Sequence, residues 1–375
     1  MPFSPDQAPK PARDLRRTSA ARDHWYPVAQ SGELDAGAAL GARFAGDPIV
    51  LVRPSRGAPF ALEDRCAHRQ VPLHSGVVKG ERLQCTYHCW TYDRSGRCVS
   101  VPYLDAACTL PNGVRAYPLR EAYGLLWVFP GDPRKAASAW FPDIPAYEDP
   151  QYKLRRLDRR IGCHYSFMHE NLMDMNHQFL HRKLMGKVRA TLIDLIETST
   201  SVEAQYSFAR ISGRQSFGEK IMIGAVRRRP EQRDANVMRI VTHYPHQWLT
   251  FQLADADKPA LVLWNFYTPL DRAERSNRTL GLMLIRRPMK LAGPFRAVAL
   301  DAAWPLVRWF TESIFAEDQT IVEQEQAAFE AQGADWNQEI NPPILALREL
   351  LLRCGGPLEE ARPDRAGSGR SVHRA

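Results

Sequence analysis

The 375 residues hold no uninterrupted apolar run of the ~18 residues that a membrane-crossing helix needs. The nearest stretch, Leu291 to Phe310, is broken by Arg296, Asp301 and Arg308. It reads as an amphipathic helix that is buried, or alternatively lies at an interface. The first 22 residues lack the apolar segment of a secretory signal, so a cytoplasmic protein without stable membrane insertion is expected. No G-x-G-x-x-G motif occurs, so the chain shows no dinucleotide site of its own. Seven cysteines, an odd number without a secretory signal, argue against a disulfide framework. With 44% hydrophobic and 25% charged residues, a disordered or collagen-like chain is excluded as well.

The net charge of +8 is largely terminal. Residues 1–22 carry five basic and two acidic side chains, and residues 361–375 carry four basic and one acidic, which leaves about +2 for the middle. Nucleic acid is therefore not an expected partner. Residues 1–23 and 356–375, rich in Pro, Gly, Ser and Arg, are expected to be disordered tails. Two internal basic clusters, Lys153 to Arg160 and Arg227, Arg228, Arg229 with Arg233, read first as solvated faces and otherwise as a dock for an acidic partner.

Length alone argues for two domains. Residues 24–145 read as all-β: short apolar stretches at Pro48 to Val52, Val114 to Tyr117 and Gly124 to Phe129 alternate with Gly, Pro and Asp, and Asp93 to Gly96 reads as a hairpin turn. Pro-rich sequence from Pro130 to Pro150 marks a boundary. Residues 146–355 read as α+β. A helix is expected over Tyr165 to Met185. Strands are expected near 202–212, 236–244, 248–253, 261–267 and 279–285, then helices over 300–331 and 344–352.

Four of the seven cysteines crowd into residues 66–98, which asks for a metal. Cys66-Ala67-His68 and Cys85-Thr86-Tyr87-His88 form two Cys/His pairs on separate loops, sixteen residues apart. Unrelated cysteines and histidines would not be so matched. Two readings remain open on the residues alone: a structural Cys2His2 zinc site, or a Rieske [2Fe–2S] cluster with two thiolates on one iron and two imidazoles on the other. Cys98, Cys108, Cys163 and Cys354 are expected to be buried small hydrophobes.

A second constellation is Glu170, Asp174, His177 and His181, which a continuous helix would place on one stripe opposite Met168, Leu172, Met175 and Phe179. Residues 168–181 contain no Lys or Arg, so the stripe reads as an inward-facing site rather than a solvated face. Two histidines one turn apart can share a metal, and a carboxylate from elsewhere would complete a 2-His-1-carboxylate triad suited to non-haem Fe(II). His243 and His246 read as structural histidines.

The segments from Asp64 to Arg69 and from Leu83 to Trp90 resemble the cluster loops of Rieske non-haem iron oxygenases, and Trp25-Tyr26-Pro27-Val28-Ala29 is similar to the start of their Rieske domain. Cys89 stands where these proteins commonly carry Gly. Asn171-Leu172-Met173-Asp174 with His177 and His181 resembles their iron-binding segment, especially in the demethylase-like branch, although three residues rather than four separate the histidines. Phe315-Ala316-Glu317-Asp318-Gln319 resembles the late carboxylate segment. The resemblance implies Cys66, His68, Cys85 and His88 as cluster ligands, and His177, His181 and Asp318 as iron ligands with Glu317 and Glu323 as substitutes. It implies catalytic roles for Asn171 and Asp174, the latter bridging a cluster histidine of a neighbouring subunit to His177.

The same resemblance implies a Rieske domain followed by a helix-grip catalytic domain. It further implies a terminal oxygenase that takes NAD(P)H electrons from a ferredoxin or flavin reductase and uses O2 to hydroxylate or demethylate an aromatic or polycyclic molecule. A head-to-tail homotrimer is expected. Aromatic dihydroxylation, a stand-alone Rieske electron carrier and a zinc-stabilised interaction module are the competing readings.

Overall fold

A computed structural model describes residues 14–105, 108–212, 236–253, 256–287 and 295–358. The N-terminal half is built of three small antiparallel sheets. One pairs Ala38–Phe44, Asp47–Arg53, Phe60–Glu63 and Ala116–Tyr117. A second pairs Tyr26–Gln30, Leu125–Val128 and Leu119–Ala122, and a third runs Val77–Lys79, Arg82–Gln84, Thr91–Tyr92 and Cys98–Ser100. The Asp93 to Gly96 hairpin forms as the turn residues require. Asp93 Oδ1 accepts the amides of Ser95 and Arg97, and Gly96 adopts φ 80°.

The C-terminal half is one seven-stranded antiparallel sheet in the order Tyr152–Ile161, Asn277–Arg286, Leu261–Pro269, His246–Leu253, Asn236–His243, Ser201–Ser212, Lys187–Glu197. Five of these strands are those expected from alternation. The two edge strands were not expected, since Tyr152–Ile161 carries five basic residues and looks like a charge run. Its arginines are only partly a solvated face: Arg156 and Arg160 are exposed, but Arg155 is buried and pairs with Glu312, and Arg159 pairs with the same carboxylate. The cluster of Arg227, Arg228, Arg229 and Arg233 lies outside the described residues.

Strand Leu261–Pro269 shows how the sheet serves two cores, because successive side chains point to opposite faces. Val262, Trp264 and Phe266 pack with Trp25, Trp127 and Phe129 of the N-terminal half. Leu261, Leu263 and Tyr267 belong to the other core, with Val307, Phe310 and Val322 of the long helix Trp304–Gln332 and Leu347 of helix Pro342–Cys354. His246, one of the structural histidines, bridges the halves through Nε2 and the Trp25 carbonyl at 2.9 Å. His243 stacks on Trp140.

Two expectations fail at the ends and at the cysteines. Residues 14–23 are not a disordered tail: Thr18–Ser19 pairs with Gly356–Pro357, and Arg16 is 3% exposed against Glu170 and Ser166. The physical reason is ionic, since Arg16, Glu170, Arg348 and Asp335 form one network joining three segments distant in sequence. Residues 1–13 and 359–375 lie outside the description. Cys98 and Cys163 are buried as expected, whereas Cys108 is exposed and Cys354 half-buried. Among the described residues no helix is long and apolar enough to cross a membrane.

Candidate metal centres

Cys66 and Cys85 head two loops of the same local design. In each, the cysteine amide donates to a carbonyl five residues on (Val71, Trp90), and the fourth residue after it returns a hydrogen bond to the cysteine carbonyl, from Gln70 at 2.9 Å and from Cys89 at 3.1 Å. That closing residue is left-handed in both, with φ 60° at Gln70 and 59° at Cys89. A left-handed position explains why glycine suits this place in similar loops, and Cys89 adopts the required backbone without it. Cys89 is exposed, outside the pair of buried thiols.

The loops bring their side chains together. Cys66 and Cys85 are each 2% exposed, and the rings of His68 and His88 approach to 4.5 Å between centroids. Trp90 stacks on His68, and Tyr92 offers its hydroxyl to Cys66 Sγ at 3.2 Å. Burial pushes the Cys85 thiol above its ordinary value, against the amides of Tyr87 and His88 aimed at its sulfur. The buried Nδ1 of His68 has no hydrogen-bond partner in the protein, so it is available to a metal. Among the described residues, the one group of three or more His, Cys, Asp or Glu gathered tightly enough for a single ion lies elsewhere. Two buried thiols beside a pair of imidazoles suit a two-iron cluster with thiolates on one iron and imidazoles on the other.

The single-ion group is His177, His181 and Asp318, whose ligand atoms all lie within 4.8 Å of one another. The expected continuous helix does not supply it. Helix Tyr165–Met173 stops at Asp174, which is extended (φ −81°, ψ 95°) and whose side chain caps a short 3-10 turn, Met175–Phe179, by accepting the Asn176 amide at 2.9 Å. A short acidic side chain that bonds its own backbone competes with the helix, and here it prevails. His177 falls in the 3-10 turn, and His181 precedes the next helical turn, Arg182–Met185. The four-residue stripe is therefore broken. Glu170 turns to Arg16 and Arg348, and Phe179 is 63% exposed rather than on a buried face.

Asp318 comes from the middle of the long helix and is buried at 8%. Its Oδ1 lies 3.2 Å from His181 Nε2 and 3.8 Å from His177 Nε2, and it accepts from Asn171 Nδ2 at 3.3 Å. His177 directs its Nδ1 to the Asp174 carbonyl, and His181 directs its own to Glu317 Oε2 at 2.7 Å. Both rings thus turn Nε2 toward Asp318, the nitrogen that a shared metal would meet. Burial disfavours the His181 imidazolium, but Asp318 and Glu317 outweigh it and raise its pKa above the ordinary value; the pocket attracts positive charge. Buried His181 Nε2 has no other hydrogen-bond partner. Of the substitutes, Glu317 bonds the far side of His181, and Glu323 accepts the Gly162 amide at 3.0 Å.

Asp174 contacts His177 through its backbone, while its Oδ1 accepts from Asn341 Nδ2 at 3.1 Å. Asn341 and the contact of Glu317 with His181 were missed by sequence reasoning. Asn341 lies far from the motif, and an acid beside a ligand gives no signal of its own.

Comparison with known proteins agrees with this division. Residues 24–118 match the Rieske [2Fe-2S] domain, and residues 161–354 match the vanillate O-demethylase oxygenase C-terminal domain. The chain is 32% identical to the 4beta-methylsterol monooxygenase of Methylococcus capsulatus over 347 residues, 91% of this chain and 90% of that one. It is 36% identical to the oxygenase component of dicamba O-demethylase from Stenotrophomonas maltophilia over 162 residues, 43% of this chain and 48% of that one. Among solved structures, dicamba monooxygenase bound to dicamba shares the fold with a TM-score of 0.69 at 23% identity, covering 89% of this chain and 98% of that one. A matched catalytic domain removes the zinc-module and stand-alone carrier readings. The chain belongs to the Rieske non-haem iron oxygenases, with a catalytic domain of the vanillate O-demethylase type.

Proposed function

We propose that this monooxygenase inserts one oxygen atom into a methyl-bearing aromatic or polycyclic small molecule, giving an alcohol or, where the methyl is on a heteroatom, its loss. The observation that carries the reading is the convergence of His177, His181 and Asp318 within 4.8 Å. The relative matched over nine-tenths of its length acts on a methylsterol by its name, which supports a polycyclic substrate.

In this reading Cys66, His68, Cys85 and His88 hold the [2Fe–2S] cluster within residues 24–145. His177, His181 and Asp318 hold Fe(II) within residues 146–355. The cluster supplies single electrons, drawn from NAD(P)H through a partner reductase, and the iron supplies O2 activation. Asn171 steadies the Asp318 carboxylate through its amide. Asp174, half-buried and held by Asn341, is the carboxylate that would meet a cluster histidine of a neighbouring copy in a homotrimer. We place the protein in the cytoplasm.

The test is turnover under 18O2 with NADH, a ferredoxin and its reductase, on a 4-methylsterol and on an aromatic methyl ether. One labelled atom in the organic product, as an alcohol or as formaldehyde, is expected from at least one of them. Two labelled atoms in a ring diol would overturn monooxygenation.

A further inference from the structure

His181 is addressed at both ring nitrogens by consecutive residues of the long helix. Glu317 Oε2 lies 2.7 Å from Nδ1, and Asp318 Oδ1 lies 3.2 Å from Nε2. The partner of His177 Nδ1 is different in kind, a neutral backbone carbonyl at Asp174. One of the two histidines is therefore braced by a full negative charge.

We propose that Glu317 is a positioning residue of the mononuclear iron site, holding the Nδ1 proton of His181 so that Nε2 presents its lone pair to the metal. This rests on the reading of His177, His181 and Asp318 as ligands. A neutral imidazole carries one N–H, so an acceptor fixed at Nδ1 selects the tautomer and the ring orientation together. A carboxylate acceptor also draws the proton toward itself, which makes the opposite nitrogen a stronger donor to a cation. Glu317 keeps 32% of its side chain exposed, whereas His181, at 3%, is sealed.

The test uses the cluster-loaded full chain and Co(II) as the probe, titrated anaerobically and followed by its visible ligand-field bands. Glu317→Ala should weaken Co(II) binding about 10–100-fold, the usual cost of losing such a partner. Glu317→Gln keeps an acceptor without the charge, so it should fall between and show shifted bands. Glu323→Gln, on the same helix but bonded to Gly162, should match the wild type. His181→Ala should abolish binding. If Glu317→Ala binds within about twofold of the wild type with unshifted bands, while His181→Ala does not bind, the positioning role is wrong and the ligand set stands. If His181→Ala also binds normally, the ligand set itself is wrong and the proposal falls with it. Far-UV circular dichroism and the thermal unfolding midpoint of the full chain verify folding of each variant.

Discussion

An imidazole closed off from water is tolerated when it stays neutral, and His246 is such a residue. It is 1% exposed, packs edge-on against Trp127 and Phe266, and donates to the Trp25 carbonyl. Burial pushes its pKa down to about 3, aided by His24, His169 and His243 and opposed by that hydrogen bond. The unfolded chain takes up the proton near the ordinary value of 6.5, and the native protein does not. The stability this residue contributes is therefore present above 6.5 and is lost as pH falls toward 3. Each pH unit in that window costs about 1.4 kcal/mol. His246→Asn should lower stability at neutral pH and flatten the loss on acidification, measured by urea unfolding at about pH 7.5 and about pH 5.5. An unaltered slope would show that His246 does not titrate in this way. The sequence reading of His246 as a structural histidine holds, but its partner was not legible. Its neighbours Tyr244, Pro245 and Gln247 carry no pattern, and the Trp25 carbonyl is remote.

At the scale of elements, the broken helix after Met173 and the bound N-terminal segment have one lesson in common. Periodicity sees apolar spacing but not which polar side chain captures the backbone, so Asp174 ended a helix that the pattern continued. Composition sees a basic tail but not the carboxylates waiting for it. Arg16 is buried between Glu170 and Asp335, with Arg348 completing the set. Glu170 lies on the helix that carries Asn171 and ends at Asp174, so this network braces the strand of chain leading to the metal ligands. Arg16→Met removes one charge from a buried set and leaves Glu170 and Asp335 to share Arg348. Breaking such a pair costs about 3 kcal/mol, and the loss should show as a lower midpoint of thermal unfolding. A midpoint equal to the wild type would return residues 14–23 to the status of a tail. The Tyr152–Ile161 edge strand is the mirror case: its arginines disguised a strand, because their partner Glu312 lies on the long helix some 150 residues away.

At the scale of the molecule, the two halves share one sheet face. Trp25, Trp127 and Phe129 meet Val262, Trp264 and Phe266, each large apolar side chain so buried being worth about 1.5–3 kcal/mol. The cluster loops were legible because their four donors fall in two tight turns, where local spacing is enough to bring them together. His177 and His181 were legible as a pair for the same reason, though not their backbone. Asp318, more than 130 residues downstream of His181, was legible only through the family resemblance of its segment, and the Glu317–His181 contact only through the fold. The central claim is that one chain carries a two-iron cluster and a separate single-iron site. The most direct measurement is iron, zinc and acid-labile sulfide content with an EPR spectrum of the reduced protein, purified anaerobically and supplied with Fe(II). We expect about three irons and about two sulfides per chain with a Rieske-type signal. Zinc without sulfide, or iron that stops at about two per chain however much Fe(II) is supplied, would contradict it.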